Sequence, residues 1–259
     1  MAQIQVIGGG RMGEALVGGL VASGWTTADQ VTVIEVSAAR RAELEDAHPG
    51  LHVQATAADG FDTVLAVKPG DALASLDGLA PRRVLSIAAG VTAAALEGAL
   101  PEATPVVRAM PNTPALVGRG ASAIAAGTHA GDHDLDWAEA VLGAVGTVIR
   151  VSEGALDAVT GLSGSGPAYV FLVAEALVDA GVLVGLPRPA AEALATQTLL
   201  GAATLLASGD RSAAELRADV TSPGGTTAAG LRALESGGVR VAVIDAVVAA
   251  TERSRELGS

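Results

Sequence analysis

The sequence predicts an α/β domain on a doubly wound parallel sheet over residues 1–151, followed by an all-helical domain over 152–259. Three observations predict it. Short β-branched runs alternate with helical patterns in the first part, the strand signal stops after Val151, and the first strand runs into a glycine-rich turn. At 259 residues the chain also exceeds the usual size of one domain. It contains no internal repeat or low-complexity linker, so the halves are expected to share an interface rather than a tether.

The first strands are Ile4 to Ile7, Val31 to Val36, Thr63 to Val67, Val84 to Ile87 and Thr104 to Val107, with helical stretches between the first several. Such alternation argues for a parallel sheet covered by helices, because each crossover runs back over one face. Two further strands, near Ala121 to Ala125 and Thr147 to Val151, flank a helix from Asp134 to Leu142. Helices then follow at Leu156 to Gly161, Pro167 to Val184, Arg188 to Ala207, Ala213 to Ala218, Thr227 to Glu235 and Val239 to Glu256. Gly and Pro separate them at Gly164-Ser165-Gly166-Pro167, Gly185-Leu186-Pro187 and Ser222-Pro223-Gly224-Gly225.

Composition excludes several classes. Half of the residues are hydrophobic and 17% charged, so the chain can build a core despite a net charge of -12. That acidity repels a phosphate backbone, no Lys/Arg run offsets it, and aromatics for base stacking make up only 2%; nucleic acid is not an expected partner. No cysteine is present, which removes disulfides and thiolate chemistry. The start of the chain has neither the basic segment nor the cleavage site of a signal peptide, so a cytoplasmic location is expected. The apolar stretch Ala168 to Leu186 carries Glu175 and Asp179 and has no basic flank at its start, which fits a buried soluble helix better than a membrane span.

Val170 to Val184 and Ala190 to Leu206 are apolar on every face. Helices of this kind need neighbours on several sides, and sharing them with a second copy is the simplest way to supply these. A homodimer at least is expected, with the second half as its dimerisation domain.

The chemistry begins at Gly8-Gly9-Gly10-Arg11-Met12-Gly13, a G-x-G-x-x-G at a strand-to-helix turn. Gly8 permits the turn, Gly10 lets backbone approach a pyrophosphate, Gly13 lets helix pack on strand, and free N–H groups at the helix start hold phosphates. This predicts a Rossmann-type domain for NAD or NADP. Glu35, at the end of the second strand, is placed to bond a ribose 2′-OH, whereas Arg40 and Arg41 just beyond suit a 2′-phosphate; the two readings stay open. Lys68, the only lysine, lies with Val67 and Pro69 at a strand end where cofactor and substrate would meet. Ser86-Ile87-Ala88-Ala89-Gly90 closes the next strand with small residues that leave room for a nicotinamide ring.

The other loaded segment, Thr221-Ser222-Pro223-Gly224-Gly225-Thr226-Thr227, opens a helix whose hydroxyls and free N–H groups suit a carboxylate. Pro223 at the first turn is also an ordinary helix-start signal, so the segment has a purely structural reading beside the binding one. All four histidines lie in the first half and are expected to be solvated rather than metal-binding; the helical half has no His, Lys or Cys. An acid/base-dependent alcohol or hydroxyacid dehydrogenase would lack its usual groups there. An imine is different, because its nitrogen enters already protonated.

These segments, together with Arg108-Ala109-Met110-Pro111-Asn112-Thr113-Pro114 and Thr160-Gly161-Leu162-Ser163-Gly164-Ser165-Gly166-Pro167-Ala168-Tyr169, resemble the pyrroline-5-carboxylate reductase family over essentially the whole chain. The resemblance implies a Rossmann domain, an interlocked helical dimerisation domain, often a ring of dimers up to a decamer built from dimers, and reduction of a cyclic imine, L-1-pyrroline-5-carboxylate, to L-proline by NAD(P)H. It places cofactor contacts at Ile7, Gly8, Gly9, Gly10, Arg11, Met12 and Gly13, around Glu35 and Ser37, and at Val67, Lys68, Pro69, Ala88 and Ala89. Substrate contacts fall on Glu153, Ser222, Gly224, Gly225, Thr226 and Thr227, with the Thr227 hydroxyl on the ring nitrogen. Asp59 and Asp219 stand where the family often has Asn, and an aspartate beside a cofactor phosphate would be unfavourable. The competing readings are another imine reductase or β-hydroxyacid dehydrogenase, or a dimer that senses NAD(P) without turnover.

Overall fold

The computed structural model describes residues 4–258. The chain falls into two compact units, one formed by residues up to Ser165 together with those from Val248 onward, the other by Gly166–Val247. The first unit runs on past residue 152 because Leu156, buried with Ala123 and Ala125, keeps the first helical turns on the sheet.

The sheet unit holds β1 (Ile4–Ile7), α1 (Arg11–Ala22), β2 (Val31–Ile34), α2 (Ala38–Ala47), β3 (His52–Gln54), β4 (Asp62–Leu65), β5 (Arg83–Ser86), α3 (Ala93–Gly98), β6 (Val106–Met110), β7 (Gly120–Ala126), α4 (Asp132–Gly143) and β8 (Gly146–Arg150). α5 (Leu156–Val159) runs into a π-helical turn, Thr160–Gly164. The eight strands order as β3-β2-β1-β4-β5-β6-β7-β8, all neighbours parallel except β6 and β7. The chain leaves β1 toward β2 and β3, then returns to add β4 on the other side. That reversal opens a crevice at the carboxyl ends of β1 and β4, where ligands bind in such sheets.

Both faces of the sheet are covered, and the side chains sort with a period of two. Ile4, Val6, Val64, Leu85 and Val107 join one buried cluster with Leu16, Leu20 and Trp137. Ile7, Leu65, Val84 and Val106 join another with Leu76 and Leu96. Gln5 is tolerated inside β1 because its amide is satisfied, donating to Thr63 Oγ1 (2.8 Å) and Ala58 O (2.9 Å) and accepting from Ala58 N (3.1 Å).

The amino edge of the sheet is closed by charge pairing. Buried Asp62 meets Arg83 at 2.9 Å, and the Arg83 guanidinium stacks 4.4 Å from the Trp137 ring centroid. Asp59 accepts from Ala80 N at 2.8 Å just before β4, so it lies at this edge and not beside a phosphate at the carboxyl edge. β3 was not expected from the sequence, β2 ends two residues earlier than expected, and β6 starts and ends later.

The second unit contains α6 (Gly166–Leu183), α7 (Arg188–Ala207), α8 (Ala213–Asp219), α9 (Thr226–Ser236) and the first part of α10 (Val239–Leu257). α6 packs on α7 through Gly181, where an added Cβ would come within 2.9 Å of the Ala191 methyl. No residue of α6 is buried in the single chain, contrary to the expected buried helix. A helix apolar on all faces has one close neighbour here, and Phe171, Leu172 and Val184 stay 64%, 66% and 79% exposed. By length and composition alone, two helical stretches, Glu153–Leu183 and Arg188–Ala207, are long and apolar enough to cross a bilayer.

Candidate active site

The glycine turn has the geometry its residue types require. Gly8 adopts φ +107°, and a Cβ there would stand 2.6 Å from the Ala66 carbonyl oxygen at the end of β4. A Cβ on Gly13 would overlap the Gly8 carbonyl oxygen, so α1 can sit this close only without a side chain. Gly10 is the opposite case: an added Cβ meets nothing within 4 Å, and Gly10 caps α1 without any side-chain hydrogen bond to the first turn. Open space above uncapped N–H groups is what a pyrophosphate needs.

Beside this turn lies a cleft of about 440 Å3, lined by Ile7, Gly8, Ile34, Glu35, Val36, Ala55, Ala57, Val67, Asp71, Ala74 and Ser75. β2 delivers Glu35. Its Oε2 accepts from Gly9 N (3.1 Å) and its Oε1 from Ser37 N (2.8 Å), which fixes the carboxylate against the turn. Ser37 caps α2 through Arg40 N.

Both candidate phosphate-reading arginines are engaged elsewhere. Arg40 donates to Gly9 O (2.8 Å), Glu14 (2.6 Å) and Glu43 (2.9 Å). Burial works to raise the Glu14 pKa, but Arg40 and His48 outweigh it and hold the carboxyl below its ordinary range. Arg41 lies against the Glu35 and Val36 carbonyls (2.8 and 2.9 Å).

Val67 reaches the cleft wall, whereas Lys68 and Pro69 stand exposed at the start of a 3-10 turn, Pro69–Asp71. At the end of β5, Ala88 is buried, Ala89 exposed, and Ser86 Oγ accepts from Ala88 N (3.3 Å). Arg11 is exposed and Met12 half-buried at the start of α1. The Gly90 turn packs against Gly258, and Ser254 donates to Asp157 (2.6 Å), so the end of α10 rests on the sheet unit.

Glu153 belongs to the sheet unit. Its Oε1 accepts from Ala93 N (2.7 Å) and Arg108 (2.7 Å), linking α3, β6 and the segment before α5. Burial acts to raise its pKa, but the Ala93 amide and Arg108 together bring the carboxyl below its ordinary value. The turn before α9 lies in the other unit. Gly224 has φ +71°, a Cβ on Gly225 would overlap Ser222 Oγ, and Gly225 caps α9 with no side-chain hydrogen bond. The helix begins at Thr226, so Pro223 belongs to the preceding turn rather than to the first helical turn. Asp219, at the end of α8, is paired with Arg211.

Ala55, Ala57, Asp71, Ala74 and Ser75 escaped the sequence reading; the small residues have no chemical signature, and β3 brings two of them in. A hollow of about 540 Å3 between α4 and β8 is lined by Asp136, Glu139 and Arg150, and Arg150 already pairs with both carboxylates. Among the described residues no three His, Cys, Asp or Glu side chains gather as a metal site.

A glycine turn open above α1, at the switch point of a parallel sheet and followed by a helical domain, defines a Rossmann-type NAD(P)-dependent oxidoreductase. Residues 153–257 match the family model described as pyrroline-5-carboxylate reductase dimerisation, and residues 3–90 the one described as NADP oxidoreductase, coenzyme F420-dependent. The chain is 44% identical to the pyrroline-5-carboxylate reductase of Corynebacterium melassecola, covering 100% of this chain and 99% of that protein. It is 46% identical to that of Synechocystis sp., covering 99% and 98%. Among solved structures, a pyrroline-5-carboxylate reductase from Coxiella burnetii superposes with a TM-score of 0.91 at 37% identity, covering 100% of this chain and 99% of that one. The pyrroline carboxylate reductase of Plasmodium falciparum, with NADP bound, gives 0.83 at 29%, covering 100% and 98%. The chain belongs to the pyrroline-5-carboxylate reductase family. The dimerisation match falls on the helices whose apolar residues the single chain leaves exposed, which supports a homo-oligomer.

Proposed function

We infer that the chain reduces L-1-pyrroline-5-carboxylate to L-proline with NAD(P)H, the final step of proline biosynthesis, in the cytoplasm, as a homodimer that assembles up to a decamer. The observation that carries the reading is the family match across the full length, and two local features support it: the open Gly10 turn and the uncapped start of α9.

When bound, the reduced nicotinamide supplies a hydride to the imine carbon. The residues of the chain have three tasks. Ile7 through Gly13, Glu35, Ser37, Val67, Lys68, Pro69, Ala88 and Ala89 hold the dinucleotide along the carboxyl edge of the sheet. Ser222, Gly224, Gly225 and Thr226, with free N–H groups at the start of α9, hold the substrate carboxylate. The Thr227 hydroxyl accepts a hydrogen bond from the protonated ring nitrogen and orients it; the amine forms as the hydride reaches carbon, so no strong general acid is needed. Glu153 is assigned to the substrate side, its Oε1 held by Arg108 while Oε2 has no protein partner among the described residues.

The test is loss of absorbance at 340 nm with purified protein, pyrroline-5-carboxylate and NADH or NADPH. No turnover with either cofactor would leave the NAD(P)-sensing reading in its place. Thr227→Ala should lower kcat about 10- to 100-fold, the worth of one oriented hydrogen bond, with NAD(P)H affinity unchanged. Thr227→Ser should restore most of it. Full activity per folded molecule in both Thr227→Ala and Thr227→Val would reduce Thr227 to a helix-start residue.

A further inference from the structure

We propose that this chain selects the dinucleotide that lacks a 2′-phosphate, NADH over NADPH, and that the Glu35 carboxylate makes the selection. The proposal rests on the reading of the cleft beside Gly8 as the adenosine site.

The charged side chains that line this cleft are Glu35 and Asp71, both acidic. Glu35 is held in place at both oxygens, by Gly9 N at 3.1 Å and Ser37 N at 2.8 Å. A carboxylate so tethered at the end of the second strand has lone pairs left for the hydroxyls of an adenosine ribose. It cannot swing away from a phosphate without giving up two hydrogen bonds.

The cations that would welcome a phosphate do not line the cleft. All three guanidinium nitrogens of Arg40 are committed, to Gly9 O, Glu14 and Glu43, and releasing them would cost Glu14 its arginine partner. Arg41, the next cation along the chain, is turned onto the Glu35 and Val36 carbonyls. Lys68 is exposed beyond Val67 and also lies outside the lining. A 2′-phosphate, with a charge of about −1.5 to −2 near neutral pH by analogy with other phosphomonoesters, would therefore enter between two carboxylates with no partner of opposite sign.

The experiment measures binding to the adenosine half alone, without turnover: titration calorimetry of the full chain with ADP-ribose and with its 2′-phosphorylated form. Wild type is expected to bind ADP-ribose at least about tenfold more tightly. Glu35→Gln keeps the shape, removes the charge and should bring the ratio to about threefold or less; Asp71→Asn should narrow it by a smaller factor. Raising the salt concentration should narrow the wild-type ratio, because screening weakens repulsion, and this arm requires no variant to fold. Equal or tighter binding of the 2′-phosphorylated ligand by wild type overturns the proposal. So does an Arg41→Ala variant that loses affinity for that ligand only. Binding of neither ligand would overturn the cleft assignment itself, whereas selectivity for the 2′-phosphorylated form would leave the reductase reading intact and remove only the preference.

Discussion

Gly10→Ala and Gly13→Ala each add one methyl group within the same turn, and the surroundings of the two Cβ atoms give opposite expectations. At Gly10 the backbone is ordinary, φ −70° and ψ −178°, and the space is empty. Alanine restricts the unfolded chain, which stabilises by about 0.4–1 kcal/mol, while its poor capping costs a similar amount. Stability should stay within about 0.5 kcal/mol, a Tm change under ~2 °C for a chain of this size. Binding should suffer, because the methyl occupies the space of the pyrophosphate; a loss of at least tenfold in Kd corresponds to about 1.4 kcal/mol. At Gly13 the methyl overlaps the Gly8 carbonyl oxygen, and Gly8 is held in place by its N–H, which donates to Ile34 O at 2.8 Å. Overpacking of this kind costs about 1–3 kcal/mol or more, against about 1 kcal/mol gained in helix propensity. A Tm drop of several degrees is expected. Thermal melts and calorimetric titration with NADH read the two effects separately. Wild-type affinity in Gly10→Ala, or a Tm loss there equal to that of Gly13→Ala, would refute the reasoning.

Three further outcomes follow from contacts outside the turn. Glu153→Gln removes the carboxylate facing Arg108, which is only 13% exposed; with Glu153 itself 36% exposed, the cost is about 1 kcal/mol after allowing for solvent screening. Because the folded state holds Glu153 below the ordinary value of 4.5, its stabilisation is present above that pH and is lost as the pH falls through the lower folded value, so the Tm gap between wild type and variant should close on acidification; a gap constant with pH argues against the ion pair. Asn112→Ala breaks bonds to Ser163 O (3.0 Å) and from Ala121 N (2.8 Å) and should cost about 2 kcal/mol in thermal or denaturant unfolding, and a neutral result would mean that water replaces both. Phe171→Asp places a charge on an exposed apolar face of α6 and should lower the mass measured by light scattering, whereas an unchanged mass removes this face from the oligomer contact.

The parts legible in the sequence were those where backbone geometry restricts the residue type. The glycine turn is one: Gly8 needs a positive φ and Gly13 a bare Cα, so their spacing could be read without knowing the fold. The helices of the second half were legible because apolar runs between Gly and Pro leave little choice. β3 was not, since His52-Val53-Gln54 is an edge strand in which only Val53 is even half-buried, and its existence depends on pairing with β2. The choice between Glu35 and the arginines was illegible for a different reason. It depends on Glu14 and the Gly9 carbonyl, which are distant in sequence and hold Arg40 away from the cleft.

The segments that carried the family resemblance divide, in the structure, by what their side chains touch. Ile7 and Gly8 line the cleft, Gly10 leaves open space at the start of α1, and Thr226 and Thr227 start a helix with no side-chain cap. Arg108 through Asn112 and Thr160 through Gly164 instead hold each other. Arg108 meets Glu153, Asn112 reaches Ser163, and the Met110 methyl lies where a Cβ on Gly164 would come within 2.7 Å. These two segments make one joint between the β6–β7 connection and the π-helical turn that precedes α6. A π-helical turn has weaker backbone support than an α-helix, so side-chain bonds such as that from Asn112 to the Ser163 carbonyl contribute more to fixing its path. The distinctiveness of these motifs therefore has two physical sources, and only the first of them is space left open for a ligand.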